Sequence, residues 1–331
     1  MTDIQEPNDD VIDVEVGDED VTDTTLARPF YMVTHKTSLA RYFGHLGVEQ
    51  HFGVNVNPAT APISLWWCSQ DWAAQAATAG IELPQLLAPT PGFVARLDKK
   101  KWLKRDVGHL RKSDIPSFYA KHPDYLVEHP QVILSTGGEH TELIPPAVCT
   151  AEDLAAGNYP APYNLLPGDV FLQLDQPLPC VIEVRYWVAN GELTAACPYR
   201  LGMVGWDSNF FLEMLFNEEG RLLVGMADEV AGRFANEVDG PPGYAFDLGI
   251  TTEGTVTVLR AWPSWAADPL AAEPMGVWTS IVAAHDFDQM VDLDVWRWDP
   301  DQRIYDRSIF ADTETEPEPE TDEREEDAHH A

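Results

Sequence analysis

The stretch Cys180–Arg200, CVIEVRYWVANGELTAACPYR, decides how this chain is built. Along its first half Glu183, Arg185 and Trp187 alternate with Ile182, Val184, Tyr186 and Val188. Successive side chains of a strand point to opposite faces, so one set belongs to a core and the other to chemistry or solvent. Asn190-Gly191 supplies the two positive-φ residues of a tight type I′ turn, and the return strand starts near Glu192 and carries Tyr199 and Arg200 outward. An acid and a base thus share one face of a β-hairpin. Ion pairing of Glu183 and Arg185 with Arg200 or Lys121 accounts for them without chemistry; a place in a cleft is the other reading.

Outward from this hairpin, residues 242–261 form a second one, two apolar strands flanking Thr251–Gly254. Upstream, Asp169–Gln176 (DVFLQLDQ) and Pro116–Lys121 (PSFYAK) read as strands, and Ala151–Ala156 as a short helix capped by Thr150. Phe30–His35 and Ile63–Cys68 read as strands, with a short helix over Lys36–Gly44 and a second over Asp71–Gly80. This alternation describes a small α/β lobe, bounded by the Pro-rich, irregular Leu83–Gly92. Asn209–Phe216 fits strand or helix equally. Glu273–His285 reads as a helix, and Phe287–Phe310 as a segment with Trp296 and Trp298 on one face of a strand.

The order E-x-R strand, N-G turn and P-Y-R return strand, with the flanking elements, resembles an ATP-grasp-like family of bacterial and bacteriophage genomes over roughly residues 30–285. The resemblance implies an α+β, α/β fold with mainly antiparallel sheets clasping a nucleotide cleft. Its expected divisions are an N-terminal lobe at 28–107, an ATP-grasp-like domain at 108–285 and an extension at 286–311. It further implies that Lys121 ends a strand and contacts nucleotide phosphates, that Gln173 and Asp175 lie beside the adenine, and that Glu183 lines the cleft. Arg185 and Arg200 would stabilise an acyl phosphate formed from ATP and a small-molecule or peptide carboxylate, later attacked by an amine or thiol.

One departure cuts across that picture. The family ends its last strand with a Glu-x-Asn pair that holds Mg²⁺, and here those positions read Arg260-Ala261-Trp262. Magnesium takes hard oxygen ligands, so neither Arg nor Trp serves. Asp247 remains on the paired strand, diagonal to Arg260, and Arg260 is expected to neutralise it where a cation would sit. Asp268, Glu183 and Asp175 are the other carboxylates from which a metal site could be rebuilt. Two outcomes stay open: an ATP-dependent ligase, or a degenerate scaffold that binds without ligating. A structural or assembly role is a third.

Composition bounds the rest. The net charge of −34 is concentrated at the ends: residues 1–27 hold ten acids and no base, and residues 312–331 ten acids and one Arg. Such runs cannot bury apolar surface and read as disordered tails for solubility or for docking a protein partner. So acidic a chain is unsuited to nucleic acid, and it has no apolar run of membrane-spanning length and no signal-peptide pattern at its start, so a cytoplasmic location is expected. Six of its seven lysines fall between Lys99 and Lys121, a local positive field that is either a solvated face or an attractor of anions. Gly137-Gly138 could cradle phosphates or form an ordinary turn; Glu139, His140 and His122 read first as surface residues. Trp262 and Trp265 read as core. Cys68, Cys149, Cys180 and Cys197 lack metal-ligand spacing, and free thiols are favoured over a Cys180–Cys197 disulfide.

Overall fold

The computed structural model describes residues 31–34, 42–43, 49–52, 56–136, 144–201, 204–205, 217–288 and 290–300. Gly137–His140, residues 209–216, most of the helix expected at 36–44 and both acidic runs lie outside the described residues.

The N-terminal part is a three-stranded parallel sheet of β1 (Tyr31–Thr34), β2 (Glu49–Phe52) and β3 (Leu65–Trp66), in the order β2-β1-β3. A helix over Gln70–Thr78 follows, opened by the Ser69 hydroxyl accepting from the Trp72 N–H and closed at Gly80, whose φ of 84° suits a residue without Cβ. Strand β2 has no counterpart in the sequence reading: its sequence, EQHF, carries no apolar alternation.

The second sheet is antiparallel, β4-β7-β5-β6, from β4 (Val107–Arg111), β5 (Gln131–Ser135), β6 (Ala147–Thr150) and β7 (Phe171–Asp175). Its core joins Leu134, Leu172 and Leu174 to Ile115, Tyr119 and Leu154 from two covering helices. One of these, Ile115–Lys121, corrects the strand expected at Pro116–Lys121. Pro116 sits in the first helical turn, where a missing N–H costs nothing, and Ile115 and Tyr119, four residues apart, share the buried face. Lys121 therefore ends a helix, exposed, rather than a strand. The helix Ala151–Ala155 begins as expected, with the Thr150 hydroxyl accepting from the Asp153 N–H.

The third sheet contains both hairpins: β8 (Cys180–Ala189), β9 (Glu192–Leu201), β10 (Val204–Gly205), β11 (Gly243–Thr251) and β12 (Val256–Pro263), in the order β10-β9-β8-β11-β12. Asn190 and Gly191 take φ of 52° and 83°, as the turn demands. Both faces are covered. Ile182, Val184, Tyr186 and Val188 join Tyr244, Phe246, Leu248 and Ile250 beneath the helix Glu218–Glu237. Trp187, Ala245 and Trp262 face the N-terminal sheet and the helix Pro274–Ala283. That helix lies close enough that a Cβ at Gly243 would meet the Ser280 carbonyl oxygen at 2.2 Å, and one at Gly276 the Thr194 oxygen at 2.0 Å.

Leu86 and Leu87 of the Pro-rich segment bridge to His285 and Arg297, tying the first lobe to the residues that follow the helix Pro274–Ala283. The Trp-rich segment is not a strand: Val291–Trp296 is a 3₁₀ helix, with Trp296 packed edge-on to Phe93 and Trp298 to Trp265. All four cysteines are free thiols. Among the described residues no helix is long and apolar enough to cross a membrane.

Candidate functional site

The polar face of the third sheet opens toward the second sheet, and Glu183, Arg185, Asp247 and Arg260 lie along it. Asp247, fully buried, sits on interior strand β11 with Arg185 of β8 opposite on one side and Arg260 of β12 opposite on the other. The pairing with Arg260 is direct rather than diagonal.

Arg185 donates from Nε to Asp247 Oδ1 at 2.7 Å and from Nη2 to Oδ2 at 3.1 Å, a two-pronged pair. Asp247 Oδ2 also accepts from the Trp262 indole N–H at 3.1 Å, and the Tyr199 hydroxyl lies 3.3 Å from it. The remaining Arg185 donor group reaches the Asp268 carbonyl at 3.1 Å, and its guanidinium stacks over Trp262 at 4.9 Å. Burial pushes the Asp247 carboxyl up, but the Arg185 charge and hydrogen bonds, helped by Arg260 and Trp262, more than reverse this and hold it below the ordinary range. The cation that neutralises Asp247 by contact is thus Arg185, not Arg260. Trp262 does more than pack: it is one of the groups that fill the carboxylate.

Two bulges shape the rest. On β9, Arg200 pairs with Glu183 and Pro198 with Val184, which leaves Tyr199 as an extra residue; on β12, Arg260 pairs with Asp247 and Val258 with Leu248, which leaves Leu259 extra. Tyr199 therefore turns inward beside Arg200. Its hydroxyl donates to Glu183 Oε2 at 2.7 Å, while Arg200 Nη1 donates to Glu183 Oε1 at 2.7 Å.

Between the sheets lies a cavity of about 110 Å³, whose lining mixes the apolar Ile133, Pro146, Leu178 and Leu259 with the charged Arg105, Asp175, Glu183, Arg200 and Arg260. Arg105, which its sequence context disguises as part of a lysine run, is almost wholly buried. It donates to Asp175 Oδ1 at 3.0 Å on β7 and to Thr257 Oγ1 at 2.9 Å and the Val258 and Leu259 carbonyls on β12. The other Asp175 oxygen accepts from Gln173 at 2.7 Å. Burial pushes the Asp175 carboxyl up against the opposing pull of Arg105 and Gln173.

Arg260 differs from its neighbours. It lines the cavity and makes no hydrogen bond or ion pair among the described residues. Burial works against its charge, and the fields of Tyr199, Asp247 and Glu183 outweigh burial and keep it charged.

The structure brings Asp175, Glu183, Arg200 and Arg260 to one cavity, places Gln173 and Arg185 behind its walls, and leaves Lys121 on the exposed end of its helix, outside the lining. The magnesium expected in the family does not fit this donor set. Both Asp247 oxygens are engaged, and the two family ligand positions carry a guanidinium and an indole. No cluster of three or more potential metal-ligating His, Cys, Asp or Glu is found among the described residues.

Three sheets, two of them antiparallel and facing one cavity, make this an ATP-grasp-like fold of mixed α and β content. Residues 147–281 match a family model described as an ATP-grasp domain, the third family of its clade, covering β6 through most of the helix Pro274–Ala283. No curated protein matches the sequence. Among solved structures the chain is similar to N5-carboxyaminoimidazole synthase from Aspergillus clavatus, crystallised with ADP and 5-aminoimidazole ribonucleotide, at 9% identity, 81% of this chain, 79% of that one and a TM-score of 0.45. It is similar to N5-carboxyaminoimidazole synthetase from Staphylococcus aureus at 9% identity, 77% of each chain and a TM-score of 0.43. To a RimK domain ATP-grasp protein from Sphaerobacter thermophilus the values are 14% identity, 79% of this chain, 99% of that one and 0.41.

Proposed function

We propose that this chain is a nucleotide-binding protein of the ATP-grasp fold in which ligation has been lost and binding kept. The observation that carries the reading is the saturated Asp247: the carboxylate that would anchor a metal against the ATP phosphates is held by Arg185 and Trp262, with the Tyr199 hydroxyl beside it. A divalent cation there would have to break a buried two-pronged ion pair, at a cost of several kcal/mol, and would still face two arginines. Arg185 shares that commitment, so it positions Asp247 rather than meeting an acyl phosphate. The cavity supports the binding half of the reading at the phosphate-bearing end of such a ligand, since three arginines and several apolar side chains line it together. The acidic runs at the two ends suit a protein partner.

Calorimetry with ATP and ADP, in Mg²⁺ and in EDTA, tests this together with an assay for ADP and phosphate release. Expected is nucleotide binding of similar strength in both buffers and no release. Magnesium-dependent ADP release in the presence of a carboxylate and an amine would restore the ligase reading, with Arg200, which lines the cavity while paired with Glu183, as the arginine that would meet an acyl phosphate.

A further inference from the structure

We propose that Arg260 takes the place of the metal: it is the receptor for an oxyanion, the phosphoryl group of a nucleotide or of a smaller phosphate compound, bound without a divalent cation. This deepens the nucleotide-binding reading by naming what holds the charged end of the ligand.

Charge and partners both single out Arg260. The cavity lining contains three arginines and two carboxylates, a net excess of one positive charge. Arg105 is bound to Asp175, and Arg200 to Glu183. Behind the wall Arg185 is bound to Asp247. Each carboxylate has its own arginine, and Arg260 is the charge left over. Neighbouring fields keep its charge, but among the described residues no acceptor meets its N–H groups, so their hydrogen-bonding capacity is unused. The guanidinium is also the side chain best matched to a phosphoryl group, presenting planar donors to two oxygens at once. The volume agrees: about 110 Å³ is somewhat below the roughly 150 Å³ known to admit a benzene-sized guest and is ample for one tetrahedral oxyanion. An oxyanion would also offset the surplus positive charge, where a cation would add to it.

The test measures binding of ADP, pyrophosphate and adenosine by calorimetry, all in EDTA, to the full chain and to Arg260→Gln, with the melting temperature of each protein recorded without ligand. Expected is binding of ADP and pyrophosphate to the natural chain, weakened at least about tenfold in Arg260→Gln, with the unliganded melting temperature little changed because Arg260 makes no direct bond among the described residues. A lowered melting temperature with unaltered ADP affinity would overturn the proposal, since it would make Arg260 structural. ADP binding that survives in Arg260→Gln overturns the oxyanion site and leaves the nucleotide reading standing. Pyrophosphate binding that depends on Arg260, without preference for ADP and without adenosine binding, supports the oxyanion site and removes the nucleotide reading. No binding of any of the three overturns both.

Discussion

Arg185 and Arg260 flank the same aspartate from the two neighbouring strands, yet their situations are opposite. Arg185 gives hydrogen bonds to both oxygens of Asp247, reaches a backbone carbonyl and lies under an indole. Arg260 stands opposite Asp247 on the other side and bonds to nothing described, facing a cavity instead. Residue type and register therefore do not separate a structural cation from a receptive one. What separates them is whether the donors are already used. A guanidinium with all its donors engaged is part of the fold; one with donors turned to a void is waiting for an acceptor.

The strongest challenge to this distinction is Arg185→Ala. It leaves Asp247 buried and without its counter-ion, and removal of one partner of such a pair costs roughly 3–5 kcal/mol. Urea denaturation should show a loss of that order, while the same measurement on Arg260→Gln should stay within about 1 kcal/mol of the natural chain, as for sites outside a buried network. Equal losses at both positions would erase the distinction.

A saturated polar group far from the cavity gives a second measure of what engaged donors contribute. His285 accepts the Trp66 N–H at Nε2 (2.8 Å) and donates from Nδ1 to the Ile281 carbonyl (2.7 Å), so it must be neutral in the folded chain. Burial lowers its pKa from 6.5 to about 4. The unfolded chain binds this proton first on acidification, so the contribution of His285 is fully present above about pH 6.5 and is lost as pH falls toward 4. The total is about 3 kcal/mol, at roughly 1.4 kcal/mol for each tenfold drop in proton affinity. Stability measured against pH should show this acid limb, and His285→Gln should flatten it. An unchanged limb would mean that other groups cause it.

The hairpins are legible in the sequence because turn chemistry and period-two alternation agree there: Asn190-Gly191 fixes one turn, and the apolar positions of β8 and β11 fall on one face. The site is legible only in part. Alternation sends Tyr199 and Arg200 to opposite faces, and likewise Leu259 and Arg260. Each pair flanks a bulge, which lets two consecutive residues serve the same face. No local pattern announces a bulge, because it is set by the partner strand's register. The helix at Ile115–Lys121 passes for a strand because F-Y-A is short enough to suit either period; the signal that does distinguish it is Pro116, placed where helices start. Arg105 hides among lysines, since burial is not a property of composition.

Arg105 also ties together the two walls of the cavity. It donates to Asp175 on one sheet and to Thr257, Val258 and Leu259 on the other. It works as a latch between the two jaws of the cavity. A guest that needed the two sheets to part would first have to break this buried ion pair, and losing one partner of such a pair costs roughly 3–5 kcal/mol.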